Sequence, residues 1–365
     1  MTTFILDGAP HTACDQCPET TVLEYLRQTL HRTGTKEGCA SGDCGACTVI
    51  LVEETEGQDL SYRSINACIT LLGTIHGKQL LTVENLACDN QLHICQQAMV
   101  DEHGSQCGFC TPGIVMSLFA HSKSGADKGR NALLHSLSGN LCRCTGYKPI
   151  LSAGSVVNMQ TEGDRFDSLK SETLEKLRTI QPFEHEIGRD GRCFRIYNEV
   201  AEVATALEMH PQARLVAGST DYSLEVTQGL AEPDSLVFVG KVKEMTACGA
   251  ENGGIRIGAA TTLRDAAPLL LKHWPSLEEL LLRFGSPQIR NQATIGGNVA
   301  NASPVGDTPP VLLALNATLE LRKGASTRTL PIEEFYQTYK KTALDNGEFI
   351  VSIFIPVNDR KSTVR

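Results

Sequence analysis

Aromatic residues, long apolar runs and excess positive charge are all scarce in this chain of 365 residues. Phe, Trp and Tyr make up 5% of it, and 33 Lys and Arg stand against 42 Asp and Glu, for a formal net charge of −9. A nucleic-acid partner would need a basic stripe on this chain. A membrane span would need about 20 consecutive apolar residues, and a secretory signal would need a basic start followed by an apolar core. None is present, so we expect a cytoplasmic protein with neither nucleic-acid nor membrane partners.

Cysteine, in contrast, is abundant, with 14 residues. In a cytoplasmic chain this abundance indicates metal or redox chemistry rather than disulfides. The first group has the spacing C-x4-C-x2-C at Cys39, Cys44 and Cys47, and it is completed by Cys68. This spacing is the signature of a plant-type 2Fe–2S cluster, and the glycines in the loop give it the freedom to turn tightly. Zinc is the alternative, but zinc sites favour two C-x2-C pairs.

A second group combines C-x2-C at Cys107 and Cys110 with C-x-C at Cys142 and Cys144. The surrounding patterns predict helices, so these cysteines should lie at helix ends, where an N-terminus favours negative charge. Taken alone, the spacing does not exclude zinc. The ferredoxin-type motif immediately upstream favours a second 2Fe–2S cluster.

The remaining cysteines carry no such pattern. We expect the C-x2-C at Cys14 and Cys17 to be a coincidence of spacing, since no second pair completes a site. The isolated cysteines are expected to be small buried residues of the core. They are Cys88, Cys95, Cys193 and Cys248.

The first part of the chain has the pattern of a small α+β unit. A strand over 3–6 meets a turn at Asp7 and Gly8, and the sequence T-x-x-E from Thr21 predicts a capped helix that ends at Gly34. A strand follows the cysteine loop. The helical segments predicted next are 91–103, 111–122, 129–137 and 148–160.

A polar stretch over 161–182, with a short possible helix at 169–177, is the best linker candidate. Beyond it the pattern becomes α/β, with closing strands at 318–322 and 349–355. Two stretches there, 214–222 and 288–307, are rich in small residues and hydrogen-bond donors. The first can expose backbone N–H groups to a pyrophosphate and is not a Rossmann motif. The second is either a solvated turn or one wall of a ligand site, and its length favours the ligand.

Together these motifs resemble the family of small, iron–sulfur and flavin subunits of bacterial xanthine dehydrogenases, in the molybdenum hydroxylase superfamily. The resemblance covers essentially the whole chain, in order. The first family motif matches the group from Cys39 to Cys68, and the second matches 106–113 and 142–147. The resemblance implies the FAD-binding residues Leu215, Val216, Ala217, Gly218, Ser219, Thr220, Asp221, Tyr222, Phe284, Thr294, Ile295, Gly296, Gly297, Asn298, Asn301, Asp307, Phe349 and Ile350.

The resemblance also implies a multidomain α+β fold. Residues 1–84 would form a β-grasp ferredoxin-like domain and 85–160 a four-helix 2Fe–2S domain. After the linker, 183–358 would form an α/β FAD-binding domain of the PCMH, vanillyl-alcohol-oxidase-like type. We expect this domain to lack its C-terminal subdomain and to end in a truncated tail, 359–365. One further departure is Ser219, which stands where family members usually have a second glycine.

The function implied is electron transfer. Electrons from purine hydroxylation at a molybdopterin site on a separate large subunit would pass to the helical-domain cluster, then to the ferredoxin-type cluster, then to FAD and NAD. The two subunits would form a heterotetramer, and this chain would supply no catalytic residue for the hydroxylation. The alternatives are a subunit of another molybdenum hydroxylase that oxidises aldehydes or N-heterocycles, a truncated product without flavin, and a zinc-binding interaction module.

Overall fold

The computed structural model describes residues 1–125, 128–181 and 187–357, and these form two compact units. The first unit contains Met1–Ile187 together with two later segments, Ser223–Glu232 and Ser286–Ile289. The second unit contains Gly188–Tyr222, Pro233–Gly285 and the described residues from Arg290 onward. Within the described ranges, no helix is both long enough and apolar enough to span a membrane.

A five-stranded mixed sheet opens the first unit. Its order is β2-β1-β5-β3-β4, with β1 and β5 parallel and the other neighbours antiparallel. Asp7 and Gly8 both have positive φ, as expected for the tight turn between the first two strands. The strands are β1 (Thr2–Leu6), β2 (Ala9–Ala13), β3 (Thr48–Glu54), β4 (Leu60–Asn66) and β5 (Gln79–Leu81).

The helix predicted from Thr21 is present but shorter than expected. It runs as α1 (Val22–Glu24) and continues as a π-helix over Tyr25–Thr29. The side chain of Thr21 accepts a hydrogen bond from the Glu24 N–H at 3.1 Å, which confirms the predicted cap. The predicted end at Gly34 is wrong, because His31 already has a φ of 54°. Gly34 is needed for packing instead, since a Cβ there would lie 2.4 Å from Glu84 Oε1.

Four helices follow the sheet, as predicted. Pro112 lies in the first turn of the second of them. Their apolar faces form one core with Ile50 and Val52 of β3, in which Phe119 is completely buried. The helices are α2 (Ile94–Asp101), α3 (Thr111–Lys123), α4 (Arg130–Leu137) and α5 (Lys148–Met159).

The segment predicted as a linker forms two helices, α6 (Arg165–Ser168) and α7 (Lys170–Thr179). Both belong to the first unit, where Phe166, Leu174 and Leu177 are buried. The Lys176 ammonium donates a hydrogen bond to the Gly8 carbonyl at 2.5 Å. The predicted end of the linker at residue 182 and the start of the next domain at 183 lie outside the described residues.

The second unit contains two main sheets. The first has the order β6-β7-β9-β8, in which β9 is parallel to both β7 and β8. The second is antiparallel, with the order β10-β11-β16-β12-β13. The strands are β6 (Ile187–Arg189), β7 (Arg192–Ile196), β8 (Arg214–Val216), β9 (Ser235–Phe238), β10 (Cys248–Glu251), β11 (Gly254–Gly258), β12 (Thr318–Lys323), β13 (Ser326–Pro331), β14 (Tyr336–Thr338), β15 (Lys341–Thr342) and β16 (Phe349–Pro356).

Short helices connect these strands. The strands predicted over 318–322 and 349–355 are confirmed as β12 and β16. The predicted tail at 359–365 lies outside the described residues. The later helices of the chain are α8 (Val200–Met209), α9 (Tyr222–Thr227), α10 (Lys243–Thr246), α11 (Leu263–His273), α12 (Glu278–Arg283), α13 (Pro287–Arg290), α14 (Ile295–Ala300) and α15 (Thr308–Ala314).

Candidate functional site

The loop that carries the first cysteine group surrounds a sulfur with backbone donors. The N–H groups of Ser41, Asp43 and Cys44 donate to Cys39 Sγ at 3.4, 3.3 and 3.4 Å. Burial raises the pKa of Cys39, but these bonds and the Ser41 hydroxyl outweigh it and lower that pKa to about 7. The loop is therefore built to stabilise a negatively charged sulfur.

Glycine makes this loop possible at specific positions. Gly42 and Gly45 have φ values of 81° and 69°, which side chains rarely adopt. A Cβ at Gly38 would lie 2.7 Å from Cys44 Sγ, so a side chain there would displace a predicted ligand. The glycines thus leave the space around the sulfurs free.

The four cysteines of the first group form two contacting pairs. Cys39 and Cys44 are joined by a side-chain hydrogen bond, and the sulfurs of Cys47 and Cys68 lie 3.3 Å apart. Cys47 and Cys68 are only 1% and 3% exposed. The contact with Cys47, together with burial, raises the pKa of Cys68.

The second group also forms two pairs. Hydrogen bonds join the side chains of Cys107 and Cys144, and those of Cys110 and Cys142. Cys110 is the N-cap residue of α3, as predicted, and burial raises its pKa to about 12. The predicted helix-end position is wrong for Cys142 and Cys144, which lie in the loop between α4 and α5. Cys107 and Cys144 are exposed, unlike any member of the first group.

This pairing fits binuclear clusters better than zinc. In a 2Fe–2S cluster held by four cysteines, the ligands are shared between two irons, whereas structural zinc needs four ligands around one ion. Paired cysteines therefore favour the cluster prediction at both sites.

The two cysteine loops touch each other within the first unit. The Leu141 N–H, next to Cys142, donates to the Cys44 carbonyl at 3.0 Å. A Cβ at Gly113 would lie 2.0 Å from the Gly45 carbonyl oxygen, and one at Gly45 would lie 2.1 Å from the Gly139 carbonyl oxygen. The two loops therefore approach each other closely, and a single hydrogen bond joins Leu141 of the second loop to Cys44, a predicted ligand of the first cluster.

A later segment of the first unit also contacts the first loop. The Thr227 hydroxyl donates to the Ala40 carbonyl at 2.7 Å. The Gln228 amide donates to the carbonyls of Cys39 and Ala40 at 3.3 and 3.1 Å. Sequence reasoning missed both residues, because a Thr at the end of a short helix and the Gln that follows it carry no pattern of their own.

The predicted FAD residues of the second unit border a cavity of about 350 Å³. Its walls come from the end of β8, from the glycine pair of α14 and from the start of β16. A volume of this size lies within the range of small-molecule sites. The predicted residues that line it are Leu215, Ala217, Gly296, Gly297, Phe349 and Ile350.

Gly218 and Ser219 explain why the turn after β8 needs small residues. A Cβ at Gly218 would lie 1.8 Å from the Gln292 carbonyl oxygen. Ser219 has a φ of 52°, the left-handed region that favours glycine. Its hydroxyl is buried without a hydrogen-bond partner among the described residues. A buried hydroxyl of this kind costs about 1–3 kcal/mol unless a ligand satisfies it, and this fits a bound flavin nucleotide.

Other predicted FAD residues have structural roles. The Thr294 hydroxyl accepts the Gly297 N–H at 3.1 Å as the cap of α14. Asn298 accepts the Thr308 N–H at 3.2 Å. Ile295 is 2% exposed, so at that position the run is part of the core. The predicted residues that are not among those lining the cavity are Val216, Gly218, Ser219, Thr220, Asp221, Tyr222, Phe284, Thr294, Ile295, Asn298, Asn301 and Asp307.

Several lining residues escaped prediction. A turn ending in Asn346 and Gly347 closes one side of the cavity, and its Asn-Gly pair was the one local signal available. Asp345 and Glu348 flank that pair, and the others are apolar residues whose sequence pattern indicates only core. The missed residues are Leu207, Pro211, Ala213, Val239, Met245, Ala259, Leu344, Asp345, Asn346, Gly347, Glu348 and, on α14, Ala300.

The isolated cysteines divide evenly. Cys95 and Cys193 are buried, as predicted, with 0% and 7% exposure. Cys88 and Cys248 are exposed, so the prediction is wrong for them. Cys88 lies in a turn and Cys248 begins β10, a strand with only one neighbour in its sheet, which accounts for their exposure.

Three family models match consecutive parts of the chain. The "2Fe-2S iron-sulfur cluster binding domain" matches residues 4–73. The "[2Fe-2S] binding domain" matches residues 82–155. The "FAD binding domain in molybdopterin dehydrogenase" matches residues 193–358. Their order confirms the predicted succession of an iron–sulfur domain, a second iron–sulfur domain and a flavin domain.

Curated relatives agree with these matches. The chain is 31% identical to a xanthine dehydrogenase of Emericella nidulans over 98% of its length, 32% identical to a xanthine dehydrogenase/oxidase of Mus musculus over 97%, and 29% identical to xanthine dehydrogenase 1 of Arabidopsis thaliana over 96%. It spans only 30–31% of these relatives' own length.

Solved structures give shorter matches. One is a Cu,Mo-CO dehydrogenase, with 30% identity, a TM-score of 0.43 and coverage of 45% of this chain and 59% of that one. Another is quinoline 2-oxidoreductase from Pseudomonas putida 86, with 27% identity, a TM-score of 0.43 and coverage of 46% and 59%.

Proposed function

Because the chain is an iron–sulfur and FAD region of the xanthine dehydrogenase type, we propose that it carries electrons from a molybdopterin subunit to NAD during purine hydroxylation. The observation that carries the proposal is the placement of the two cysteine loops, which are joined by a hydrogen bond. Two redox centres in such close contact suit a relay.

The overall reaction balances without a further co-substrate. The substrate carbon exchanges hydrogen for a hydroxyl whose oxygen comes from water, and two electrons and two protons are released. NAD⁺ takes up both electrons and one proton to give NADH. When bound, the clusters supply one-electron carriage and FAD connects it to two-electron transfer.

In this proposal the chain's own residues hold and insulate the redox groups. Cys39, Cys44, Cys47 and Cys68 would ligate the ferredoxin-type cluster, with the loop N–H groups stabilising its charge. Cys107, Cys110, Cys142 and Cys144 would ligate the second cluster. In this proposal the hydroxylation itself takes place on the partner subunit.

We propose that FAD occupies the cavity beside α14 in the second unit. Substitution of Ser219 should change protein stability and FAD affinity in opposite directions, because its buried hydroxyl is unpaired within the described residues. Ser219→Ala should stabilise the flavin-free protein to heat and weaken FAD binding. Flavin fluorescence and thermal melts measure both. Equal FAD affinity in the variant would mean that the Ser219 hydroxyl does not contact the flavin.

The partner would cover the second cysteine site. Cys107 and Cys144 are exposed, and beside them Phe109, Leu141 and Tyr147 are 47%, 58% and 38% exposed. Large exposed apolar side chains next to exposed predicted ligands suit an interface. We propose that the molybdopterin subunit docks here, in a heterotetramer, and delivers electrons to this site first.

The decisive measurement is cofactor content. Purified protein should contain about four irons and four labile sulfides per chain if both clusters are 2Fe–2S, with absorption bleached by dithionite, and one FAD. Zinc without sulfide would contradict the proposal and favour an interaction module. Clusters without flavin would indicate a product that lacks flavin activity.

The substrate needs a separate test, because its pocket would lie on the partner. Co-expression with the molybdopterin subunit should give NADH formation with xanthine or hypoxanthine. Activity with an aldehyde or another N-heterocycle, and none with purines, would favour a different molybdenum hydroxylase. Turnover with an electron acceptor other than NAD would change only the acceptor in this proposal and not the rest of the electron path.

A further inference from the structure

Gln288 belongs to the first unit, although its sequence neighbours beyond the short segment belong to the second. It is completely buried, and its Nε2 lies 3.2 Å from Thr48 Oγ1, 3.2 Å from Ser117 Oγ and 3.3 Å from Asn140 Oδ1. These three partners are 1%, 1% and 4% exposed. A buried polar cluster therefore lies beside the two cysteine loops.

The orientation of the Gln288 amide follows from its neighbours. The Thr48 hydroxyl donates to the Gly45 carbonyl at 2.7 Å, and the Ser117 hydroxyl donates to Asn140 Oδ1 at 2.7 Å. Both hydroxyls have used their hydrogen, so they can only accept from Gln288. The NH₂ group must therefore face them. Gln288 Oε1 then has no partner among the described residues, and an unpaired buried acceptor costs stability.

Stability alone does not explain why Gln288 is buried with an unpaired acceptor. The hydrogen bonds of its neighbours, which converge on the Gly45 carbonyl, suggest a role. The Gly45 carbonyl accepts from Thr48 Oγ1, from the Thr48 N–H at 3.1 Å and from Asn140 Nδ2 at 3.1 Å. The other side of the same peptide is the Ala46 N–H, which hydrogen-bonds to the Cys44 sulfur. Gln288 is thus two hydrogen bonds from a peptide that bonds a predicted cluster ligand.

We propose that Gln288 is a positioning residue that sets the reduction potential of the ferredoxin-type cluster. This rests on the proposed function, in which Cys44 is a ligand. Donation from Gln288 polarises the Thr48 hydroxyl, which polarises and orients the Gly45–Ala46 peptide. The Ala46 N–H would then bond the Cys44 sulfur more strongly, which would favour the more negative, reduced state of the cluster held by that ligand. Gln288 raises the potential through this relay.

The test is a potentiometric titration followed by electron paramagnetic resonance on the intact chain. Gln288→Met keeps the volume and removes the donor. At a fixed potential, the ratio of reduced to oxidised ferredoxin-type cluster should fall by roughly three- to tenfold, the factor carried by one ordinary hydrogen bond. The second cluster should shift less. Gln79→Met, the same change at a buried glutamine of β5, is the matched control and should leave both potentials unchanged.

Thr48→Val provides a second variant should Gln288→Met fold poorly. It removes the hydroxyl next to the Gly45 carbonyl and should lower the same potential, while Thr48→Ser keeps the hydroxyl and should restore it. An unchanged potential in both Gln288→Met and Thr48→Val, with the clusters intact, overturns the inference but not the proposed function. An equal shift in Gln79→Met also overturns it. Absence of the ferredoxin-type signal from the wild type overturns both.

Discussion

The two cysteine sites of the first unit contain the same ligand type in the same paired arrangement, yet their surroundings differ. Cys47 and Cys68 are almost fully enclosed, whereas Cys107 and Cys144 are exposed. The first loop is fixed by backbone donors, glycines and a buried amide cluster. In the second, Cys110 begins α3, Cys142 and Cys144 lie in the loop before α5, and exposed apolar side chains are nearby. The first site thus has one enclosed pair of cysteines, whereas the second has one exposed pair.

This difference suits the direction proposed for the electrons. An exposed site can receive an electron from another chain, and an enclosed site can hold it in a low-dielectric environment that this chain controls. The contact between Leu141 and Cys44 links the two.

The largest effect should come from removing one ligand at each site. Cys44→Ser should abolish the ferredoxin-type signal in electron paramagnetic resonance and leave the second signal. Cys144→Ser should do the reverse. The physical reason is that each cluster needs all four of its thiolates. Persistence of both signals in Cys44→Ser would contradict the ligand assignment, and loss of both in either variant would mean that the sites do not assemble independently.

The next largest effect concerns the backbone contact between the loops. A Cβ at Gly113 would lie 2.0 Å from the Gly45 carbonyl oxygen, and this neighbour is backbone that cannot rotate away. Gly113→Ala should therefore lower the free energy of unfolding by about 3 kcal/mol or more, although alanine favours helices. Urea unfolding measures the change.

Gly57→Ala is the matched control for that substitution. A Cβ at Gly57 would meet only Thr55 Oγ1, at 3.9 Å, so its effect should stay within about 0.5 kcal/mol. Similar stability losses in the two variants would mean that the loops do not approach each other as closely as the structure has them.

Much of both sites follows from local sequence. The cysteine spacings identify the predicted ligands, Pro112 marks the start of α3, and the turn after β8 marks one wall of the cavity. These signals are local because tight loops and helix starts need particular residues at particular positions. The boundaries of α3 and α5 match their predicted ranges to within about one residue.

What the sequence could not reveal is long-range. Gln288 and Thr48 are 240 residues apart, and the donor-rich run that begins at Gln288 does not indicate that this side chain reaches Thr48. Thr227 likewise reaches Ala40 across 187 residues. The early end of the first helix follows from the left-handed backbone at His31, a residue type that carries no strong signal for it. Such features depend on the packed chain rather than on any pattern.

A smaller loss of stability should follow from removing a charged side chain, Asp164, that links helical segments away from the cysteines. Asp164 accepts from Lys123 Nζ at 2.6 Å and contacts His93 Nε2 at 2.9 Å, and it caps α6. Burial raises the pKa of Asp164, but its bonds to His93 and Lys123 outweigh this and lower it. Asp164→Asn should cost about 1.5–3 kcal/mol at neutral pH, the range for hydrogen bonds to a charged group.

The direction in which stability changes with pH follows from the lowered pKa of Asp164. An unfolded Asp has a pKa of about 3.9, so the stability from Asp164 is present above this value and is lost as the pH falls below it. The difference in urea midpoint between wild type and Asp164→Asn should therefore shrink from pH 7 toward pH 3. A difference that stays constant over this range would show that the carboxylate charge is not what stabilises the site.

The smallest effect, and the most direct test of the comparison, is the rate of iron loss. Ligands that are exposed can release iron without any opening of the fold, whereas Cys47 and Cys68 must first be uncovered by a local opening of the structure. In a chelator at neutral pH, the signal of the second cluster should therefore decay roughly tenfold faster than the ferredoxin-type signal. Quantified spectra over time give both rates in one sample. In guanidinium, where the whole unit opens, the two rates should converge. Equal rates in buffer would mean that enclosure of the first site does not protect its iron. Faster iron loss from the first site would mean that the second cluster is the better protected of the two.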